Sequence, residues 1–211
     1  MSKSKSETNA VAMLRKDHAT VKQLFEQFED ADGSAERQKV MEKALNELKI
    51  HATLEEEIFY PTIRQKVGED IMNEADEEHH LARLLIAELD ELKSDDGRRE
   101  AKFRVLAEGV KHHIKEEEGQ MLPRANALDI DFEELGDQML ARKDELQEDG
   151  VPPDAEHRLI SGATSASSRK GQSSRERTTA VAGSSSHTRK DKEDREKTGK
   201  ETSREKKAHK G

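Results

Sequence analysis

Two stretches of this chain share one pattern: His51-Ala52-Thr53-Leu54-Glu55-Glu56-Glu57-Ile58-Phe59-Tyr60-Pro61, and, 62 residues on, His113-Ile114-Lys115-Glu116-Glu117-Glu118-Gly119-Gln120-Met121-Leu122-Pro123. Each opens on a His, carries a Glu four residues later inside an acidic run, and reaches a Pro ten residues after the His. On a helix, positions i and i+4 lie one above the other on the same face. An imidazole stacked on a carboxylate is a metal-ligand pair, and two such stacks facing each other would enclose a metal site.

The elements that must present these pairs are legible from hydrophobic spacing. A first helix is expected from about Thr8 to Glu29, with Val11, Leu14, His18, Val21, Leu24, Phe25 and Phe28 at steps of three and four. Asp32-Gly33-Ser34 reads as a turn with Ser34 as N-cap. The second helix continues to about Phe59, and Pro61 is expected to stop or kink it. A third spans about Asp70 to Leu92, a turn falls at Ser94-Asp95-Asp96-Gly97, and a fourth runs to about Met121 with Phe103, Leu106, Val110, His113, Glu117 and Met121 on one face. A shorter fifth helix, Asp131 to Gln147, starts at a capping Asp131. Strand signals are scarce. Long helices joined by short turns predict an all-α, antiparallel up-down-up-down four-helix bundle with a fifth helix appended.

The first helix pair repeats as the second pair. Helices 2 and 4 align at an offset of 62, which pairs His51 with His113 and Glu55 with Glu117; helices 1 and 3 align at 61, which pairs His18 with His79 and Val21, Leu24, Phe25 and Phe28 with Ala82, Leu85, Ile86 and Leu89. That register favours His79 over His80, and the stripe through Phe103, Leu106 and Val110 favours His113 over His112. The inward set is therefore His18, His51, Glu55, His79, His113 and Glu117. A single His on an apolar stripe is ordinarily a hydrogen-bonded core residue. Six titratable groups in one small bundle would instead leave donors and charges unpaired, at about 1–3 kcal/mol each, and two close carboxylates would repel. Divalent cations remove both difficulties. Imidazole with carboxylate suits Fe, Zn, Mn or Ni, and the chain has no Cys for a thiolate site. Two Glu able to bridge suit two ions rather than one. The spacing differs from the Glu-x-x-His of ferritin-like sites.

His18, the stretch His51–Pro61, Glu78-His79-His80-Leu81 and the stretch His113–Pro123 resemble the hemerythrin-like HHE cation-binding domain, over about residues 10–125. The resemblance implies a four-helix bundle holding two iron ions in a non-haem, oxo- or hydroxo-bridged centre, in proteins that bind O2, respond to NO or peroxide, or handle iron. It implies terminal ligands at His18, His51, His79 and His113 and bridging ones at Glu55 and Glu117, with Glu118 as the alternative to Glu117. O2-carrying members have a second His where this chain has Arg83, which implies a coordination position open to water or a small ligand and argues against a stable carrier. A small-molecule binder in oxidative or nitrosative stress response, sensing or iron handling is thus expected. An enzymatic version would be oxidase- or peroxidase-like, and the alternative is a metal-stabilised scaffold whose tail recruits a partner.

The chain is 211 residues long, 31% hydrophobic and 39% charged, but these are unevenly distributed. Residues 161–211 hold 14 Lys/Arg and 7 Asp/Glu, a net of +7, which leaves −16 for residues 1–160 out of the chain's −9. Residues 1–150 are expected to form the metal-binding domain. Residues 151–211, opened by Val151-Pro152-Pro153, are expected to be a disordered Ser/Lys/Arg/Glu-rich tail, too poor in apolar surface to offset its ordering entropy. Such a tail could make weak contact with nucleic acid or an acidic partner. The longest apolar run near the start, Ala10–Leu14, is too short for a signal peptide or a membrane span, so a cytoplasmic protein without a membrane partner is expected. Oligomeric state is not encoded in any of these patterns. Deleting residues 161–211 is expected to leave metal content unchanged and the melting temperature within a few degrees; a large fall would make the tail part of the fold.

Overall fold

The structure, a computed structural model, describes residues 9–163. Its elements are α1 (Ala10–Asp30), α2 (Ser34–Leu54), α3 (Tyr60–Val67), α4 (Glu69–Glu91), α5 (Arg99–Glu116), α6 (Leu122–Asn126) and α7 (Phe132–Asp149), with π-helical turns at Glu55–Phe59 and Glu117–Met121. The architecture is an all-α bundle: α1, α2, α4 and α5 form the four-helix body. Among the described residues there is no strand, and no helix is long and apolar enough to cross a membrane.

Local chemistry sets the element ends. Asn9 caps α1, its side chain accepting from the Ala12 N–H at 3.2 Å. Asp131 caps α7 as its sequence suggests, accepting from the Glu133 and Glu134 N–H groups at 3.1 and 3.0 Å. Ser34 does not cap α2; Gly33 holds that position and Ser34 is the first helical residue. α3 passes into α4 through Gly68 alone, at φ 123°, where a side chain would strain the backbone.

Of the two outcomes expected at Pro61, stopping the helix does not occur, and Pro123 behaves in the same way. Tyr60 N–H bonds to Glu55 O and Leu122 N–H to Glu117 O, i→i−5 closures that widen one turn, and Pro61 and Pro123 then sit within the first two residues of α3 and α6. A proline lacks an N–H and clashes with the carbonyl four residues back. One inserted residue removes both problems while the helix continues, and such π turns concentrate at functional sites. Both begin at a Glu of the repeated motif.

Two apolar clusters lie along the body. One joins Val11, Leu14, Ile50, Leu54, Phe59, Ile63, Met72 and Leu122 to Phe132, Leu135, Met139 and Leu146, so that α7 packs on the bundle rather than leading away from it. The other gathers Phe25, Phe28, Met41, Leu45, Leu89, Phe103 and Leu106. The predicted inward residues lie between them.

The boundary expected at residue 150 falls too early. Residues 155–163 are helical, and Glu156 is buried against the bundle, 2.7 Å from His80 Nδ1 and 3.3 Å from Arg83 Nε. Charge on α4 holds a segment whose apolar content could not announce it. The rest of the expected tail, residues 164–211, lies outside the described residues, as do residues 1–8.

Phe28 is 1% exposed, with its ring 4.6 Å from that of Phe103 and the Arg104 guanidinium 5.3 Å from its centroid. Phe28→Ala should lower unfolding free energy by about 3–5 kcal/mol, read from urea titration of the metal-free and metal-loaded protein.

Candidate metal centre

α1 supplies His18, α2 His51, α4 His79, α5 His113, and the two π turns supply Glu55 and Glu117. None of the six is more than 6% exposed. Their inner atoms converge. His51 Nε2 and His79 Nε2 lie 3.2 and 3.3 Å from Glu55 Oε2, and His18 Nε2 and His113 Nε2 lie 3.1 and 3.5 Å from Glu117 Oε2. Each Glu is thus shared between the His one turn before it on its own helix and a His from another helix. Two groups able to hold an ion result: His18, His51, Glu55 and Glu117, and Glu55, His79 and His113. Glu55 belongs to both.

Behind the histidines stands a second ring of carboxylates. Glu118 accepts from His18 Nδ1 at 3.1 Å, Glu56 from His79 Nδ1 at 2.8 Å and Glu78 from His113 Nδ1 at 2.8 Å; Asp17 Oδ2 is 4.0 Å from His51 Nδ1. The repeat offsets relate them in pairs, Glu56 to Glu118 and Asp17 to Glu78. A carboxylate on Nδ1 fixes the tautomer that leaves the Nε2 lone pair facing inward, and raises its basicity. These carboxylates are in turn held: Glu118 by Lys22 at 3.1 Å, Glu56 by Arg83, and Asp17 by Lys143 of α7 at 2.6 Å. Lys22 and Arg83 are themselves repeat partners. Arg83 therefore does not face the centre but positions the carboxylate behind His79. Glu56 and Glu118 each anchor a histidine. Only the acidic run hinted at them; their partners lie on other helices.

The neighbouring histidines turn away. His80 bonds Glu156, and His112, 59% exposed on its side chain, lies 3.6 Å from both Glu78 and Glu116. His157 lies 3.4 Å from Asp90 on the outside of α4.

Tyr60 is a residue that motif reasoning passed over. The π turn rotates it inward, and its hydroxyl donates to Glu117 Oε1 at 2.8 Å and lies 3.2 Å from His79 Nε2. Its repeat partner is Leu122, so only one half of the centre has a phenol. That it is the chain's single Tyr, in the motif at a position apolar in the other copy, was the available signal.

The electrostatics are those of a site awaiting a cation. Burial would raise the Glu117 carboxyl, but His113, His18 and His51 hold it well below the usual range. Burial would depress His79, yet Glu55 and Glu56 push it up to about 10. Burial, then the charges of Glu55 and Glu117, push the Tyr60 phenol well above its ordinary value, so it stays protonated. His18 Nε2, both ring nitrogens of His51, Glu55 Oε1 and Glu117 Oε2 are buried without a hydrogen-bond partner among the described residues. Unsatisfied atoms cost roughly 1–3 kcal/mol each, and most of these point to one place. The donor set, imidazole nitrogen and carboxylate oxygen, fits divalent first-row ions.

Comparison with known proteins agrees with this geometry. The chain is similar to an uncharacterised Mycobacterium tuberculosis protein, 29% identical over 143 residues that make up 66% of this chain and 88% of that one. It is 25% identical over 146 residues to a DNA nickase of a Nostoc strain, of whose length it spans 42%. A crystal structure of a hemerythrin HHE domain-containing protein from Mycobacterium kansasii superposes with a TM-score of 0.57 at 24% identity, covering 72% of this chain and 98% of that one. The family model of the hemerythrin HHE cation-binding domain matches residues 9–125, and the chain belongs to that family.

Proposed function

We propose that this protein is a non-haem di-iron protein that binds O2 or a related small molecule, NO or peroxide, in stress response, sensing or iron handling. The observation that carries the reading is the convergence of buried, unpartnered imidazole nitrogens and carboxylate oxygens on two groups sharing Glu55. His18, His51, His79 and His113 would hold the ions at Nε2, with Glu55 and Glu117 between them. Iron bound there would supply one-electron chemistry and affinity for small oxygen and nitrogen ligands.

The chain's own residues supply the rest. Glu118, Glu56 and Glu78 orient the imidazoles of His18, His79 and His113, and Asp17 stands 4.0 Å from His51 Nδ1. Apolar clusters flank the centre on either side. Tyr60, protonated and within reach of Glu117 and His79, is a hydrogen-bond donor for a small polar molecule on that side. With Arg83 turned outward onto Glu56, no fifth histidine enters from α4, which supports a reactive or sensing centre over a stable carrier. The nickase relative raises a second chemistry, metal-assisted phosphodiester cleavage. The burial of all six residues argues against it, because a nucleic-acid backbone cannot reach ions held among residues at most 6% exposed. Absence of plasmid nicking by the iron-loaded protein is the corresponding check.

Untagged protein loaded anaerobically with ferrous iron should hold two irons per chain and, in air, develop near-ultraviolet charge-transfer bands that azide perturbs. One ion or none would overturn the di-iron reading. His113→Ala should lose at least one iron, whereas His112→Ala should retain both.

The raised pKa of His79 has a definite sign. At neutral pH the metal-free protein carries a proton there that a bound cation must displace. Zinc, as a redox-inert probe, should bind with net proton release at pH 7. Its affinity should rise by about tenfold per pH unit for each proton displaced, up to the value of about 10. Calorimetry in buffers of different ionisation enthalpy reads the proton count.

A further inference from the structure

The internal repeat provides its own packing control, and the two halves of the bundle are filled differently. On the α1 side, the rings of Phe25 and Phe28 lie 5.7 and 4.6 Å from Phe103 and close the space between helices. Their repeat partners are Ile86, Leu89 and Met41, and the partner of Val21 is Ala82. On that second side, bounded by α2, α4 and α5, the structure holds a cavity of about 830 Å³. Leu48, Ala82, Leu85, Val105 and Val110 line it, and its inner end reaches His79 and His113. Leu85, the counterpart of the fully buried Leu24, remains partly exposed to it. Its volume falls in the ordinary range of small-molecule sites, roughly 300–1,000 Å³.

Gly109 marks the wall on α5. A glycine in mid-helix destabilises by about 1 kcal/mol relative to alanine, and a Cβ built here would meet nothing within 4 Å. Packing therefore does not demand the glycine. The turn at Val151–Asp154, beyond the family-matched region, closes another wall, held through Glu156 on His80 and Arg83.

The lining restricts the occupant. Apart from imidazoles it contains no aromatic ring, so it offers no stacking surface for a planar ligand. Glu56, Glu78, Glu88, Asp90 and Asp154 stand around it. Its two cations are engaged, Lys49 with Asp90 at 2.6 Å and Arg83 with Glu56. Among the described residues an anionic headgroup would find no free cation and several carboxylates. We propose that this cavity binds an uncharged aliphatic small molecule, with its one polar end toward the His79–His113 side of the cluster. The inference concerns the chain's own walls and does not require that the bound metal be iron.

The test is equilibrium dialysis of radiolabelled 1-dodecanol against the full-length, zinc-loaded protein, with dodecanoate as the charged counterpart. Saturable binding of one dodecanol per chain is expected, with dodecanoate at least tenfold weaker. Gly109→Leu, which projects a side chain into open cavity space, should weaken dodecanol binding tenfold or more while leaving zinc content and melting temperature at or above wild type. Ala82→Phe fills the cavity from α4 and should act alike. Absence of saturable binding, or wild-type affinity in both filled variants, would overturn the site; equal binding of dodecanoate would overturn the uncharged ligand class. None of these readouts involves iron, so the site can fail while the di-iron reading stands, and the converse.

Discussion

Everything in this bundle is organised around the burial of two carboxylates between four imidazoles in an otherwise apolar interior. Two like charges of this kind repel at close range, and each would be expensive to desolvate alone. Here Glu55 and Glu117 each face histidines from two helices, and His18, His79 and His113 are each backed by a further carboxylate, with Asp17 4.0 Å from His51. Charge thus alternates outward: inner carboxylate, imidazole, outer carboxylate, and then Lys22, Arg83 or Lys143. The inner atoms that remain without partners are those a cation would use.

The π turns reconcile this centre with the helices that carry it. A regular α-helix broken at Pro61 would end near the motif. The widened turn lets α2 run on into α3, places Glu55 at its start, and brings Tyr60 and Ile63 into the interior rather than Ile58. The same device recurs at Pro123. The proline that read as a terminator is thus part of the motif, and the wide turn is what its missing N–H requires.

Duplication builds a near-symmetric frame, and function-bearing features lie where the symmetry is broken. Tyr60 corresponds to Leu122, Phe25, Phe28 and Phe103 correspond to Ile86, Leu89 and Met41, and Gly109 corresponds to Glu47. The phenol and the open cavity both fall by His79 and His113, so one side of the centre is equipped differently from the other. α7 and residues 155–163, outside the repeat, add to each side: Lys143 fixes Asp17 behind His51, and Glu156 ties the closing segment to α4.

By itself the sequence determined the class of fold, the helix registers and the six inward residues, because helical period and a repeated His-x-x-x-Glu are local patterns that need no knowledge of neighbours. It distinguished His113 from His112 and His79 from His80 for the same reason: each lies on a stripe. Tertiary structure alone decided what crosses between helices. Glu56, Glu78, Asp17 and Glu118 came to stand behind histidines only when α4, α5, α2 and α1 brought those histidines to them, and Arg83 was seen to hold the carboxylate behind His79. The inward turn of Tyr60 depends on one extra residue in a helical turn, which periodicity at 3.6 cannot register. The segment after Pro153 is held by charge on another helix rather than by apolar content of its own, so composition could not place it.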